Sequence, residues 1–294
     1  MVCADGPLLR RTRRANRDIT KGRDVAYRRL TIEPGNDAAI KDAVRAQFGA
    51  AAQNYVTSAS HAKGDDLRRL LQLAAPNGTE RLLDIATGGG HTALAFAPLV
   101  KSVIAIDLTP KMLEAAAAYA AERGATNIAF ALADAERLPF ADATFDIVTA
   151  RIAPHHFANP EAFVRETARV LDPGGLFLLD DNMAPEDDEL DAFMNRFEHW
   201  RDPSHVCAYR PSQWRAWVEA SGLHVVVDDP LELKAYAFAE WTERMHMPAA
   251  DRAALEHWLL AAPKRCRDYF RLEADEGRVR SISGAFAIIG ARKL

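Results

Sequence analysis

Three consecutive glycines, Gly88-Gly89-Gly90, stand between a short apolar run and a segment of helical spacing, and this junction constrains the fold more than any other stretch. Arg81 to Ile85 reads as a buried strand. His91 to Leu99 reads as a helix with Leu94, Phe96 and Leu99 at its apolar positions. A strand, a glycine turn and a helix N-terminus together make a nucleotide cradle. Glycine lets backbone approach a ligand that any Cβ would hold off, and the helix start offers unpaired N–H groups. Gly88-x-Gly90-x-x-Ala93 also satisfies the permissive dinucleotide fingerprint, so a nicotinamide-dependent oxidoreductase is one reading of the turn.

The acidic residues favour S-adenosylmethionine instead. Asp84 sits near the end of the first strand, four residues before Gly88. A carboxylate there gives a pyrophosphate nothing, whereas it suits a methionyl ammonium. Asp107 ends a second strand, Val103 to Ile106, in position to accept from both ribose hydroxyls. Asp134 follows a third strand, Ile128 to Leu132, in position to accept from an adenine amino group.

Residues 48–182 resemble a class I S-adenosylmethionine-dependent methyltransferase of the ubiquinone/menaquinone-biosynthesis type (methyltransferase type 11). The resemblance rests on Leu83-Asp84-Ile85-Ala86-Thr87-Gly88-Gly89-Gly90, Asp107-Leu108-Thr109-Pro110-Lys111-Met112-Leu113 and Asp134-Ala135-Glu136-Arg137-Leu138-Pro139-Phe140. Phe145-Asp146-Ile147-Val148 and Leu171-Asp172-Pro173-Gly174-Gly175 complete the set. It implies a Rossmann-like, mostly parallel seven-stranded sheet with helices on both faces and the last strand antiparallel. It also implies a cofactor site at Tyr55, Asp84, Ala86, Thr87, Gly88, Gly90, Asp107, Leu108, Met112, Asp134, Ala135 and Arg151, with Arg151 either on the cofactor carboxylate or in a structural ion pair. A non-catalytic S-adenosylmethionine-binding subunit is the further alternative. Degenerate members of such families lose the glycines or the ribose acid, and this chain keeps both.

A chain of 294 residues, 49% hydrophobic and 27% charged, can bury a large core as one elaborated domain or two small ones. A net charge of −4 gives no electrostatic case for nucleic acid. No apolar run approaches the roughly 20 residues of a membrane helix. Cys3, Cys207 and Cys266 are too scattered for a disulfide framework or a zinc site, so a cytoplasmic setting is the default.

Residues 1–37 mix eight arginines and Lys21 with recurring acids and little apolar periodicity, the composition of a disordered extension. The methyltransferase domain then spans 38–294. Lid helices occupy 38–76, with Phe48 as a core position and Tyr55 over the cofactor. Strands are expected at 81–85, 103–107, 127–132, 147–150, 176–181, 223–227 and 285–291. Between and beside them, Pro110 and Pro160 start helices, and Pro173-Gly174-Gly175 stops one. Repeated βα units read as a parallel sheet covered on both faces. Segments 182–222 and 236–281 read as a helical cap. The acidic run Glu186 to Glu189 is the first turn of a cap helix, where carboxylates complement the dipole.

Methyl transfer needs an aligned nucleophile and, for a hydroxyl, acidic carbon or amine, a base worth about 10²–10⁴-fold. Substrate meets the methyl group after the fourth strand, at Arg151-Ile152-Ala153-Pro154-His155-His156-Phe157. His156 is the candidate base or orienter, and His155 is a second candidate that reads more readily as a packing histidine. No metal is expected, because Arg151 stands where a metal-assisted reaction wants a carboxylate. The Arg201-Asp202-Pro203-Ser204-His205 loop reads as an ordered surface turn, with His205 near the methyl as the less favoured reading. The Trp, Met, Phe and His content of the cap predicts a small apolar or aromatic methyl acceptor.

Overall fold

The strand that organises the sheet is the last one. The computed structural model describes residues 37–56 and 64–294, with backbone alone over 50–56. The expected extension, apart from Asp37, therefore lies outside the described residues, as does the side chain of Tyr55.

The N-terminal helices α1 (Asp37–Val56) and α2 (Asp65–Ala74) lead into β1 (Arg81–Ile85). There follow α3 (His91–Phe96), β2 (Ser102–Asp107), α4 (Pro110–Glu122), β3 (Ile128–Leu132), β4 (Phe145–Arg151), α5 (Pro160–Val170) and β5 (Leu171–Asn182). These five strands pair in parallel, in the spatial order β3-β2-β1-β4-β5, with Asp84 opposite Ala105 on one side and Thr149 on the other. The reversal of strand order between β1 and β4 opens a crevice at the carboxyl ends of the strands, where such sheets bind ligands.

The remaining elements are α6 (Asp188–Arg201), α7 (Pro211–Ala220), β6 (Leu223–Asp228), β7 (Glu232–Ala237), α8 (Phe238–Glu243), α9 (Ala249–Leu260), α10 (Lys264–Tyr269), β8 (Glu273–Asp275) and β9 (Arg278–Lys293). The C-terminal half of β9 runs antiparallel between β5 and β6 and completes the seven-stranded order. Its N-terminal half overruns that sheet, and β7 and β8 pair with the overrun, giving nine strands. Residues 273–281, expected within the helical insertion, are strand or tight turn for this reason. Their side chains alternate only weakly, and what makes them strand is pairing with β7 and with one another.

Three apolar clusters hold the molecule together. One, around Phe163, Phe177 and Trp214, fills one face of the sheet, and another, around Phe96, Val103 and Leu178, fills the opposite face. A third is built mainly from the cap, where Phe193, Phe197, Trp241, Leu255 and Phe270 pack on Ile282 and Ala285 of β9. The cap thus has its own core, built on the overrun. Leu99 departs from its expected role: the α3 helix tightens into a 3-10 turn at Ala97–Leu99, and Leu99 is 41% exposed. Asp187 caps α6 by accepting from the N–H groups of Glu189 and Leu190, so the acidic run serves the helix start. No described helix is long and apolar enough to cross a membrane.

Candidate active site

At the mouth of β1 the backbone turns through Ala86, Gly88 and Gly90, all with positive φ. Gly90 has no room for a Cβ, which would stand 3.1 Å from the Cβ of Ala116 on α4. Its absence is what lets α3 and α4 close together behind the turn. At Gly88 the corresponding point has no atom of the described residues within 4 Å, its chain neighbours aside, and the residue lines an open cavity.

Four carboxylates face that cavity, those of Asp84, Asp107, Asp134 and Glu136. Asp84 is 1% exposed, and its two oxygens accept from the hydroxyls of Thr87 (2.6 Å) and Thr149 (2.8 Å). Burial raises its pKa to about 6 against the opposing effect of those hydroxyls. Asp107 accepts from the N–H groups of Gly88 and Thr109, both at 2.9 Å, and burial raises its pKa also. Asp134 accepts from the Glu136 N–H and, at 2.7 Å, from the Lys41 ammonium of α1, which also reaches Glu136 at 2.5 Å. Burial opposes the Lys41 charge, but its hydrogen bonds to Asp134 and Glu136 outweigh that and raise its pKa.

Of the residues expected around a cofactor, Asp84, Ala86, Thr87, Gly88, Asp107, Leu108, Met112, Asp134, Ala135 and Arg151 line this one cavity. Gly90 shapes it from behind. Lys41, Val44 and Phe48 of α1 close it from above, and no local pattern marks Lys41, whose partners are more than ninety residues away. Arg151 has a buried guanidinium committed to Asp66 of α2 (2.6 Å) and, more distantly, to Asp180 (3.7 Å). Its ion-pair role is the one the geometry displays. His91 opens α3 and packs edge-on against Tyr119 beside the cavity.

A second cavity of about 860 Å³ adjoins the first, and the two share Phe48, Ile152 and His156 in their walls. Phe48 is therefore no core residue; it stands between two cavities with its ring edge against His156. Ile152 holds a φ of 51°, an unusual conformation for a β-branched residue and one found where surrounding structure imposes it. Here the Ile152 N–H is fixed by the carbonyl of Asp180 at 2.8 Å.

The two histidines differ in what holds them. His155 contacts Asp181 through Nδ1 at 2.6 Å, and its carbonyl accepts from Val206 and Cys207. His156 contacts the Ser204 carbonyl through Nδ1 at 2.9 Å. A carbonyl can only accept, so the His156 proton is on Nδ1 and Nε2 keeps its lone pair. Asp202 lies 3.9 Å from that Nε2. Burial pushes both imidazoles down, to about 4, with Asp202 working the other way on each. Both are neutral near pH 7.

Ser204 and His205 are buried, so the 201–205 loop is no surface turn. It forms the support for the histidines: His205 Nε2 meets Asn195 at 3.0 Å, and its ring lies 5.4 Å from that of His155. His205 itself lines neither cavity.

The second cavity departs from the expected apolar lining. Trp241, Tyr236 and Phe286 contribute, but beside them stand seven carboxylates and five cationic side chains.

Comparison with known proteins agrees with this geometry. Residues 83–179 match the family model of a methyltransferase domain. The uncharacterized methyltransferase YcgJ of Bacillus subtilis is 40% identical over 223 residues, covering 76% of this chain and 88% of that protein. The chain belongs to this methyltransferase family. The crystal structure of the YcgJ protein superposes with a TM-score of 0.76 at 38% identity, covering 79% of this chain and 99% of the other. The ubiquinone/menaquinone biosynthesis C-methyltransferase UbiE of Pseudomonas putida is 38% identical over 116 residues, covering 38% of this chain and 45% of that protein. This chain is thus an S-adenosylmethionine-dependent methyltransferase, and its methyl donor is S-adenosylmethionine. The nicotinamide reading of the glycine turn is set aside.

Proposed function

We propose that this methyltransferase carries a methyl group from the first cavity to a small-molecule acceptor held in the second. The observation that carries the reading is the common wall of Phe48, Ile152 and His156, which brings donor and acceptor within reach of one side chain able to take a proton.

The first cavity fits the donor in shape and chemistry. Asp84 faces it with a carboxylate for the methionyl ammonium, Asp107 with acceptors for the ribose hydroxyls, and Asp134 with an acceptor for the adenine amino group. Each keeps lone pairs beyond those already used. Gly88 leaves backbone open to approach. When bound, S-adenosylmethionine supplies an activated sulfonium methyl, and the protein's task is alignment, which can lower a barrier by about 7–11 kcal/mol.

The chain's own groups do the rest. His156 orients the acceptor nucleophile or receives its proton at Nε2, and the Asp202 carboxylate stabilises the imidazolium that forms. His155, clamped by Asp181 and with its ring tilted against that of His156 at 4.1 Å, fixes the position of that ring. α1 covers the donor cavity and excludes water. The charged lining of the second cavity supports a polar acceptor over an apolar one, since buried charges without polar partners are costly.

His156→Ala tests the reading. Turnover is expected to fall at least about tenfold with S-adenosylhomocysteine affinity little changed, as loss of a positioned base predicts. Unaltered turnover would make His156 structural and remove the support for an acceptor held in the second cavity.

A further inference from the structure

The acceptor cavity has five cationic side chains in its wall, and four of them are spoken for. Arg68 pairs with Asp65, Arg69 with Asp229, Lys234 with Asp66, and Arg201 with Glu198 at 3.1 Å. Arg244, just past the end of α8, has no ion pair or side-chain hydrogen bond among the described residues. A cation at a helix C-terminus complements the dipole, and that alone would account for Arg244 on an outer surface. It does not account for a half-buried guanidinium on a cavity wall while Glu240 and Glu243 of its own helix go unpaired with it.

Arg244 also has neighbours suited to the same ligand. Tyr236 is close enough for both Arg244 and Arg201 to act electrostatically on its phenol. Its ring stacks 5.9 Å from that of Trp241, and the Arg201 guanidinium lies over the Trp241 ring at 4.9 Å. Gly284 on β9 is what lets the phenol lie this low: a Cβ there would meet the Tyr236 ring at 3.0 Å and its hydroxyl at 3.3 Å. The Tyr236 hydroxyl has no protein partner among the described residues. The region therefore offers the Arg244 guanidinium and a phenol donor, beside Arg201 with its partner Glu198 and beside Asp180, whose pKa burial raises to about 8.

We infer that the methyl acceptor carries an oxyanion, a carboxylate or a phosphate, and that Arg244 and the Tyr236 hydroxyl form the subsite that binds it. The inference rests on the second cavity being the acceptor site. A planar guanidinium recognises either oxyanion through two parallel hydrogen bonds, which a surface lysine does not match. With its anion held at this end, the acceptor is tethered with its nucleophile extended toward His156. Burial keeps the Tyr236 phenol protonated well above its ordinary range, so it serves as a donor throughout the working pH.

The experiment uses the full chain saturated with S-adenosylhomocysteine and labelled with ¹⁵N-arginine. Inorganic phosphate and malonate are the anionic probes, and tetramethylammonium chloride is the cationic control. Arginine side-chain resonances are followed through each titration in the wild type, Arg244→Gln and Arg244→Lys. A saturable shift of one resonance that is missing in Arg244→Gln is expected, with anion affinity at least tenfold lower in that variant and partly kept in Arg244→Lys. Whichever anion binds more tightly names the source of the oxyanion. No saturable shift, a shift that persists in Arg244→Gln, or a shift with tetramethylammonium alone would overturn the inference. Melting curves and S-adenosylhomocysteine affinity show that the variants are folded. The acceptor reading itself fails separately, through unaltered turnover in His156→Ala.

Discussion

Replacing Asp84 by Asn should move stability and cofactor affinity in opposite directions. The carboxylate is buried with no ion pair among the described residues, Arg151 acting on it only at a distance, and its rise from 3.8 to about 6 corresponds to about 3 kcal/mol against the ionised form. Its folded-state pKa lies above the unfolded one, so the native protein holds this proton more firmly. The cost is absent below about pH 4, grows as the unfolded chain ionises first, and is complete above about pH 6. An amide of the same shape escapes it and still meets the Thr87 and Thr149 hydroxyls. At pH 7.5 the cofactor-free variant should melt about 2–8 °C higher than the wild type, with the gap narrowing at pH 5.

Affinity goes the other way. Losing one member of a buried charge pair costs at least about 2 kcal/mol, or about thirtyfold in S-adenosylhomocysteine affinity. Since only ionised Asp84 attracts the ammonium, wild-type affinity should fall about tenfold between pH 7 and pH 5 while the variant shows no such loss. Calorimetric titration at both pH values, with thermal melts of the free proteins, measures all of this. A variant that melts lower than the wild type and binds as tightly would refute the assignment and make the carboxylate a structural group.

Three further outcomes follow from the same geometry. His156→Ala should lower turnover at least about tenfold while calorimetry shows unchanged donor affinity, as loss of a base would. Lys41→Met removes two partly buried ion pairs that tie α1 to the loop after β3, worth about 1–2 kcal/mol together; S-adenosylhomocysteine should then leave several-fold faster in stopped-flow measurements, and an unchanged rate would show that α1 does not gate the cavity. Gly284→Ala presses a methyl group on the Tyr236 ring, costing about 1–3 kcal/mol of stability by overpacking; acceptor affinity should suffer and donor affinity should not, which parallel titrations would separate.

The donor half of the site was legible because its determinants are local. Each acid lies at or just beyond the end of a strand, and parallel pairing brings those ends together whatever the side chains between them. Asp84, Asp107 and Asp134 therefore converge by topology, and a reader of the sequence needs only the strands. The glycines at 88 and 90 carry their own signal, one through open backbone and one through helix packing. Phe48 was misread because an aromatic residue at helical spacing looks the same whether it fills a core or divides two cavities. Leu99 was misread because the helix tightens at Pro98 before reaching it.

The acceptor half was illegible for the opposite reason. Its walls come from α1, α2, the turn after β4, β5, α6, β7, α8 and β9, and no spacing in the sequence relates Asp66 to Lys234 or Glu198 to Tyr236. The strand that assembles them, β9, showed only its C-terminal half as an apolar run. Its overrun, Arg278 to Gly284, alternates too weakly to stand out, yet β7 hangs from it and carries Lys234 and Tyr236 into the cavity. The aromatic richness of the cap was real, but Phe193, Phe197 and Phe270 are spent on the cap's own core. Composition counts a side chain without saying which way it faces. Here the apolar groups turned inward to hold the cap together, and the charged ones were left to form the surface an acceptor meets.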